Sequence, residues 1–128
     1  MKKLNIKDAP TSLNHMEFPV FLLTHPYYRE LSLVAKMLFA LIRERTMHNL
    51  MSDDYSEYID ENGDIFTTFP YQEMVQLINK GRHSITKAKK ELRAFDLIET
   101  QKKGSALERI YINGYIDEAV HYRENENF

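Results

Sequence analysis

KGRHSITKAKKELRAFDLIETQKKG, residues 80–104, decides the reading of this chain. Ile85, Ala88, Leu92 and Phe95 recur at spacings of three and four, the buried stripe of a helix over about 82–94. Arg82, His83, Thr86, Lys87 and Lys90 fall largely on the opposite face. Leu97-Ile98-Glu99-Thr100-Gln101 then alternates as a strand, and Lys102-Lys103-Gly104-Ser105 is a tight polar turn. From Lys80 to Lys103 there are eight lysines and arginines against three acids, a net +5 in a chain whose total is −2, so the remainder sums to −7. One short segment carries the cationic face of an otherwise acidic protein, and such a face suits a phosphate backbone.

Upstream of this helix, Asn79-Lys80-Gly81 has the length and composition of the turn in a helix-turn-helix unit. The helix before the turn is expected over about 70–78. Pro70 is pre-organised for its first position, and Met74, Val75, Leu77 and Ile78 supply its apolar face. A longer helix is expected over about 32–45, with Ser32 as N-cap, a broad apolar girth from Leu33 to Ile42, and Arg43 and Arg45 at the negative end of its dipole. Phe18 to Leu23 is a short apolar run, extended or a single turn, pinned onto the core. Between the first two helices the chain turns acidic, with Asp53, Asp54, Glu57, Asp60, Glu61 and Asp64. Tyr55, Tyr58 and Ile59 form part of a strand there, Asn62-Gly63 makes the turn, and Ile65 to Phe69 is the returning strand. A hairpin is expected over 97–113, returning through Ala106 to Tyr115. Helix, strand, helix, helix, strand, wing, strand is the order of an α+β winged helix-turn-helix. The expected organisation is an irregular arm over 1–16, a winged-helix domain over 17–115 with a hairpin insertion at 46–69, and a polar tail over 116–128.

Composition excludes several functions. The chain has 128 residues, 43% of them hydrophobic, enough for one core that buries roughly 65% of the unfolded surface. It has no cysteine, which rules out disulfides, thiolate catalysis and zinc sites built on Cys. No apolar run approaches the roughly 20 residues that span a membrane, and no signal-peptide segment follows the cationic start, so a cytoplasmic protein is expected. His15, His25, His48, His83 and His121 are scattered without a metal spacing. The acidic run does not follow a calcium-loop pattern, and there is no phosphate-binding glycine loop or nucleophile elbow. The paired carboxylates Asp53-Asp54 and Asp60-Glu61 lack a partner base. The expectation is a protein that is not an enzyme and needs neither cofactor nor metal.

The exposed face of the 82–94 helix holds residues that a major groove can use. Arg or Lys donates to guanine O6 and N7, and Ser or Thr contacts bases or phosphates. Arg82, His83, Ser84, Thr86 and Lys87 are the expected base contacts, because a recognition helix enters by its N-terminal end. Lys80 and Lys90 are expected on phosphate, with Lys102 and Lys103 in the wing. Arg109, on the return strand, reaches phosphate or pairs with Glu99. Lys89 and Arg93 lie nearer the core boundary. Met51, Tyr55, Tyr58 and Ile59, with Met47 and Leu50, are too many apolar groups to leave exposed, and they are expected to form a homodimer contact. The bland alternative is that they fold back over the first helix.

Three segments carry a family resemblance: FPVFLLTHPYYRELSLVAKMLFALIRERT at 18–46, with its LS-x-x-AK helix; IDENGDIFTTFPYQEMVQLIN at 59–79; and ITKAKKELRAFDLIETQKKG at 85–104, the KEL…LIE junction of recognition helix and wing. In this order they resemble the N-terminal DNA-binding domain of the RepA-type replication initiators of theta-replicating plasmids from low-GC Gram-positive bacteria. The resemblance implies a dimeric, sequence-specific binder of direct repeats in double-stranded DNA at a plasmid origin, working with host replication machinery. It assigns Arg82, His83, Ser84, Thr86 and Lys87 to the recognition helix and Lys102 and Lys103 to the wing. Such initiators are longer, so the chain is expected to be a fragment or a small protein that kept the DNA-binding part. Two other readings use the same module: a transcriptional regulator of a phage or mobile element, and a protein-interaction module without DNA binding. The last would place apolar residues on the exposed face of the 82–94 helix.

Overall fold

The computed structural model describes residues 3, 5, 7 and 15–114. The expected polar tail over 116–128 and most of the expected arm over 1–16 lie outside the described residues. Helices α1 (Phe21–Thr24) and α2 (Leu33–Leu50) precede strand β1 (Thr67–Thr68), helices α3 (Tyr71–Ile78) and α4 (Arg82–Ala94) follow it, and strands β2 (Ile98–Gln101) and β3 (Arg109–Ile112) come last. The strands form one antiparallel sheet in the order β1-β3-β2. This is the α+β winged helix-turn-helix read from the sequence. None of the helices among the described residues is long and apolar enough to cross a membrane.

The core is built where α2 and α4 meet. Ala35, Leu38, Phe39 and Ile42 of α2 share one buried cluster with Ile85, Ala88 and Leu92 of α4, and Leu97, Ile98 and Ile110 close it from the sheet. Ser32 begins α2 as expected, its Oγ accepting from the Ala35 N–H at 3.2 Å. The same serine is also held from outside. Its backbone N–H donates to Glu91 Oε1 at 2.9 Å and its hydroxyl donates to Oε2 at 2.7 Å. A capping box normally takes its glutamate from the same helix. Here α4 supplies it, so the start of α2 and the roll of α4 are fixed together. Lys36 Nζ donates to the Arg29 carbonyl at 3.0 Å, tying the preceding 3-10 turn (Tyr28–Glu30) to α2.

Helix α3 starts one residue after Pro70 and stops at Asn79, whose φ of 59° is left-handed and whose N–H donates to the Val75 carbonyl at 2.8 Å. Asn tolerates that conformation better than most residues with a Cβ. Gly81 caps α4 with φ −67°, so its conformational freedom is not used. After α4, Asp96 takes φ 57° and the Leu97 N–H donates to the Leu92 carbonyl at 3.0 Å, which turns the chain into β2.

Two expectations need correction. Helix α2 does not end near Arg45; it runs to Leu50. Arg45 points sideways, forming an ion pair with Glu73 and lying 4.4 Å from the centre of the Phe69 ring. Thr46 is accommodated because its hydroxyl donates to the Ile42 carbonyl at 2.8 Å, and Asn49 Nδ2 donates to the Thr67 Oγ1 at 2.9 Å. The expected hairpin insertion over 46–69 is correspondingly smaller. Tyr55–Tyr58 is a 3-10 turn rather than a strand, and only Ile59 and Ile65 pair across the Asn62-Gly63 turn. Strand β1 pairs with β3 instead, Thr67 opposite Ile110 and Thr68 opposite Arg109.

Removing the Glu91 carboxylate is expected to destabilise the domain by about 1–3 kcal/mol, because it leaves the Ser32 donors poorly satisfied. Ser32→Ala and Glu91→Ala are expected to be strongly non-additive in a double-mutant cycle measured by urea unfolding. Additive effects would mean that the two groups act separately.

Candidate nucleic-acid interface

Helix α4 presents a cationic column. Arg82, His83, Lys87 and Lys90 are exposed, and the last three succeed one another at spacings of four and three on one face. Lys80 is exposed in the turn before α4, and Lys102 in the connection between β2 and β3. Among the described residues, the ion pairs do not involve Lys80, Arg82, Lys87, Lys90 or Lys102. The buried stripe of Ile85, Ala88 and Leu92 aims this column outward, since it turns the opposite side of α4 onto α2.

Ser84 and Thr86 are half-buried and flank the column. The Thr86 hydroxyl donates to the Arg82 carbonyl at 2.9 Å and lies 3.5 Å from the Tyr71 hydroxyl. Its proton is therefore committed within the helix, and its methyl group and remaining lone pair are what it can offer a base.

Lys89 is withdrawn from the face altogether. It is 3% exposed, forms an ion pair with Glu108, and holds its ammonium 4.5 Å from the centre of the Tyr71 ring. It ties α4 to the base of the wing. Arg93 Nη1 lies 3.4 Å from the Thr100 Oγ1 and reinforces the same junction.

Arg109 does not pair with Glu99, and its guanidinium is turned onto an aromatic ring. The register sets Glu99 opposite Tyr111 and Arg109 opposite Gln101. The Arg109 guanidinium lies 4.2 Å from the centre of the Phe66 ring, with Nη1 buried and without a hydrogen-bond partner among the described residues. The physical reason is the acidic turn, which folds over the outer face of the sheet and covers this side chain. Phe66 packs between Tyr58 and Tyr111, at centroid distances of 6.3 and 5.8 Å. Asp60 organises the turn: its carboxylate accepts from the Asn62 and Asp64 N–H groups, both at 2.9 Å, and from the Tyr111 hydroxyl at 2.9 Å. The Asp64 backbone bond, with help from Tyr111, holds the Asp60 carboxyl below its ordinary range. Burial is the main cause that pushes the Tyr111 hydroxyl up.

The same turn brings Glu61 to 3.8 Å from Lys103, so this wing lysine is shared with an acid. Of the expected dimer residues, Tyr58 and Ile59 are half-buried in the fold-back just described, whereas Met51 is 85% and Tyr55 52% exposed.

Comparison with known proteins places these features in context. The family described as "Replication initiator protein A (RepA) N-terminus" matches residues 14–124. A "41 kDa protein" of Lactobacillus helveticus is 26% identical over 88 residues, which is 69% of this chain and 24% of that protein. The chain thus spans about a quarter of this relative's length. Among solved structures, one described as "Structure of MDR initiator" superposes with a TM-score of 0.65 at 24% identity, covering 92% of this chain and 98% of the other. Another, "N-Terminal domain of DNA binding protein", gives 0.66 at 17% identity over 100% and 98%. A third, "Structure of Rep-DNA complex", gives 0.60 at 18% identity over 89% of each. These likenesses show the fold.

The Asp60 turn makes stability depend on acid. A carboxyl whose folded value is depressed contributes its full stabilisation above the unfolded value of about 3.9, and loses it as pH falls through the lower folded value. The difference in unfolding free energy between the unaltered chain and Asp60→Asn is therefore expected to be constant near neutrality and to shrink below about pH 4. Urea titrations across a pH series measure it, and a difference that grows on acidification would contradict the assignment.

Proposed function

The chain belongs to the family of replication initiator protein A N-termini, and we propose that it binds repeated sites in double-stranded DNA at a plasmid origin and so serves the initiation of replication. The observation that carries this reading is the exposed column of His83, Lys87 and Lys90, without acidic partners among the described residues, with Arg82 on the first turn of α4, on a body that is otherwise net acidic. The family description and the neighbour described as a Rep–DNA complex support it. The exposed face of α4 is cationic and polar, which argues against a module that binds protein alone.

Helix α4 enters the major groove by its N-terminal end. Arg82, His83 and Lys87 are directed to base edges, and Ser84 and Thr86 to the margins of the same contact. Lys80, Lys90 and Lys102 hold phosphates on either side and set the register without reading sequence. Lys103 joins them when a phosphate replaces Glu61, an exposed partner worth little energy. The acidic turn and the acid-rich remainder repel phosphate, so the protein docks in one orientation. It acts in the cytoplasm, and handing the origin to host replication machinery belongs to the same proposal.

A homodimer suits repeated sites, since two recognition helices set about 34 Å apart, or a multiple of it, read successive turns. Met47 on the last turns of α2, Met51 and Tyr55 form the exposed apolar surface available for it. Tyr58 and Ile59 serve the fold of the turn instead. Sedimentation equilibrium across micromolar concentrations is expected to show a dimer that Met51→Glu dissociates; a monomer throughout would remove this part of the proposal.

For DNA binding, Lys87→Ala is expected to weaken binding to an origin duplex and to lower discrimination at one base pair by roughly 1–3 kcal/mol. Lys102→Ala is expected to weaken all duplexes about equally and to reduce the salt slope by about one unit. Fluorescence anisotropy with origin and random duplexes distinguishes the two. Binding unchanged by both substitutions together would overturn the reading.

A further inference from the structure

We infer that Tyr71 is a positioning residue for sequence discrimination: its ring holds the Arg82 guanidinium in the orientation from which it reads a base. This inference rests on the DNA-binding reading above and names a residue outside α4 that the reading does not use. Tyr71 is the first residue of α3, set there by Pro70 immediately before it. From that place its half-buried ring spans the gap between the two helices of the helix-turn-helix. The Arg82 Cζ lies 5.0 Å from the ring centre. One turn further along α4, the Thr86 Oγ1 lies 3.5 Å from the Tyr71 hydroxyl. The Lys89 ammonium, one turn beyond that, lies 4.5 Å from the same ring centre.

Residues 82, 86 and 89 form one row of α4, and Tyr71 touches all three. They are nevertheless unlike one another. Lys89 is neutralised by Glu108 and buried, and the Thr86 proton is committed to the Arg82 carbonyl. Only Arg82 is exposed and without an acidic partner among the described residues. An arginine in that situation ordinarily samples many rotamers, and ordering it on binding costs free energy. Stacking on an aromatic face restricts a planar guanidinium to fewer orientations while leaving its N–H edge free to donate. Discrimination among bases requires such a donor edge in a fixed place, whereas attraction to phosphate requires only charge. The ring is therefore expected to act on specificity rather than on general affinity.

The test uses the full chain and a duplex selected from a random library by repeated binding to the unaltered protein, compared with a scrambled duplex of the same composition. Tyr71→Phe keeps the ring, and Tyr71→Leu removes it while retaining apolar bulk. Urea unfolding of each variant confirms that the folded fraction is complete under the binding conditions. Tyr71→Leu is expected to reduce the ratio of selected to scrambled affinity by roughly three- to tenfold, and Tyr71→Phe to retain it. The salt slope is expected to stay unchanged in both, since no phosphate contact is lost. In an Arg82→Ala background, Tyr71→Leu is expected to have no further effect on the ratio. A Tyr71→Leu loss that falls equally on both duplexes, or that persists in the Arg82→Ala background, overturns the inference. If Arg82→Ala lowers the ratio and Tyr71→Leu does not, the inference alone falls. If Arg82→Ala leaves the ratio unchanged, the assignment of Arg82 to base reading falls with it.

Discussion

The Glu91 carboxylate against the start of α2 is the constraint on which the rest of the domain depends. It accepts from both donors of Ser32, at the end of α2 where the helix dipole favours negative charge. Hydrophobic burial alone would press α4 onto α2 without fixing its roll, because apolar contact is non-directional. Two oriented hydrogen bonds remove that freedom. Once Glu91 is held, Ile85, Ala88 and Leu92 must face the core, and His83, Lys87 and Lys90 must face away from it. The two partners come from LS-x-x-AK and KEL, the segments that carry the family resemblance. What looks like two separate motifs is one contact, and its product is the direction in which the cationic column points.

The elements defined by local chemistry were legible in the sequence. Helix α4 was visible because its apolar stripe and polar face separate cleanly, and the turn before it because Asn79 accepts a left-handed backbone. The end of α2 was not visible. Its arginines resemble a favourable C-terminal turn, but Arg43 lies 3.6 Å from Glu17 and Arg45 pairs with Glu73, so both are spent on neighbours to the side. The apolar girth of α2 also offers no local stop signal. The acidic segment misled for a related reason. The two arms around Asn62-Gly63 pair through a short bridge at Ile59 and Ile65, whereas β1 finds its partner in β3, more than forty residues along the chain. Periodicity says nothing about which distant strand is available.

The candidate site was legible in outline and overcounted in detail. Lys103 is shared with Glu61 and the Arg109 guanidinium is turned onto Phe66, whereas Lys89, expected near the core boundary, is buried and paired with Glu108. Lys89 shares a row of α4 with Arg82 and Thr86, beside the buried stripe, and its place near the core boundary is legible for that reason. For Arg109 there was no such sign, because the covering residues Phe66 and Asp60 belong to a different segment. Tyr71 was missed because it reads as an ordinary first residue after Pro70. Only the packing of α3 beside α4 brings its ring under Arg82.

These cations therefore divide into two kinds with different physical roles. The Lys103–Glu61 pair is exposed on both sides, and solvent already screens it, so a phosphate can take the place of Glu61 at little cost. In the Lys89–Glu108 pair the lysine side chain is 4% exposed and the glutamate side chain 31%, and drawing Lys89 out would take its ammonium from the Tyr71 ring. The pair joins the wing to α4. Lys102, in the connection between β2 and β3, and Arg82 and Lys87 on α4 are therefore carried by elements that this pair joins.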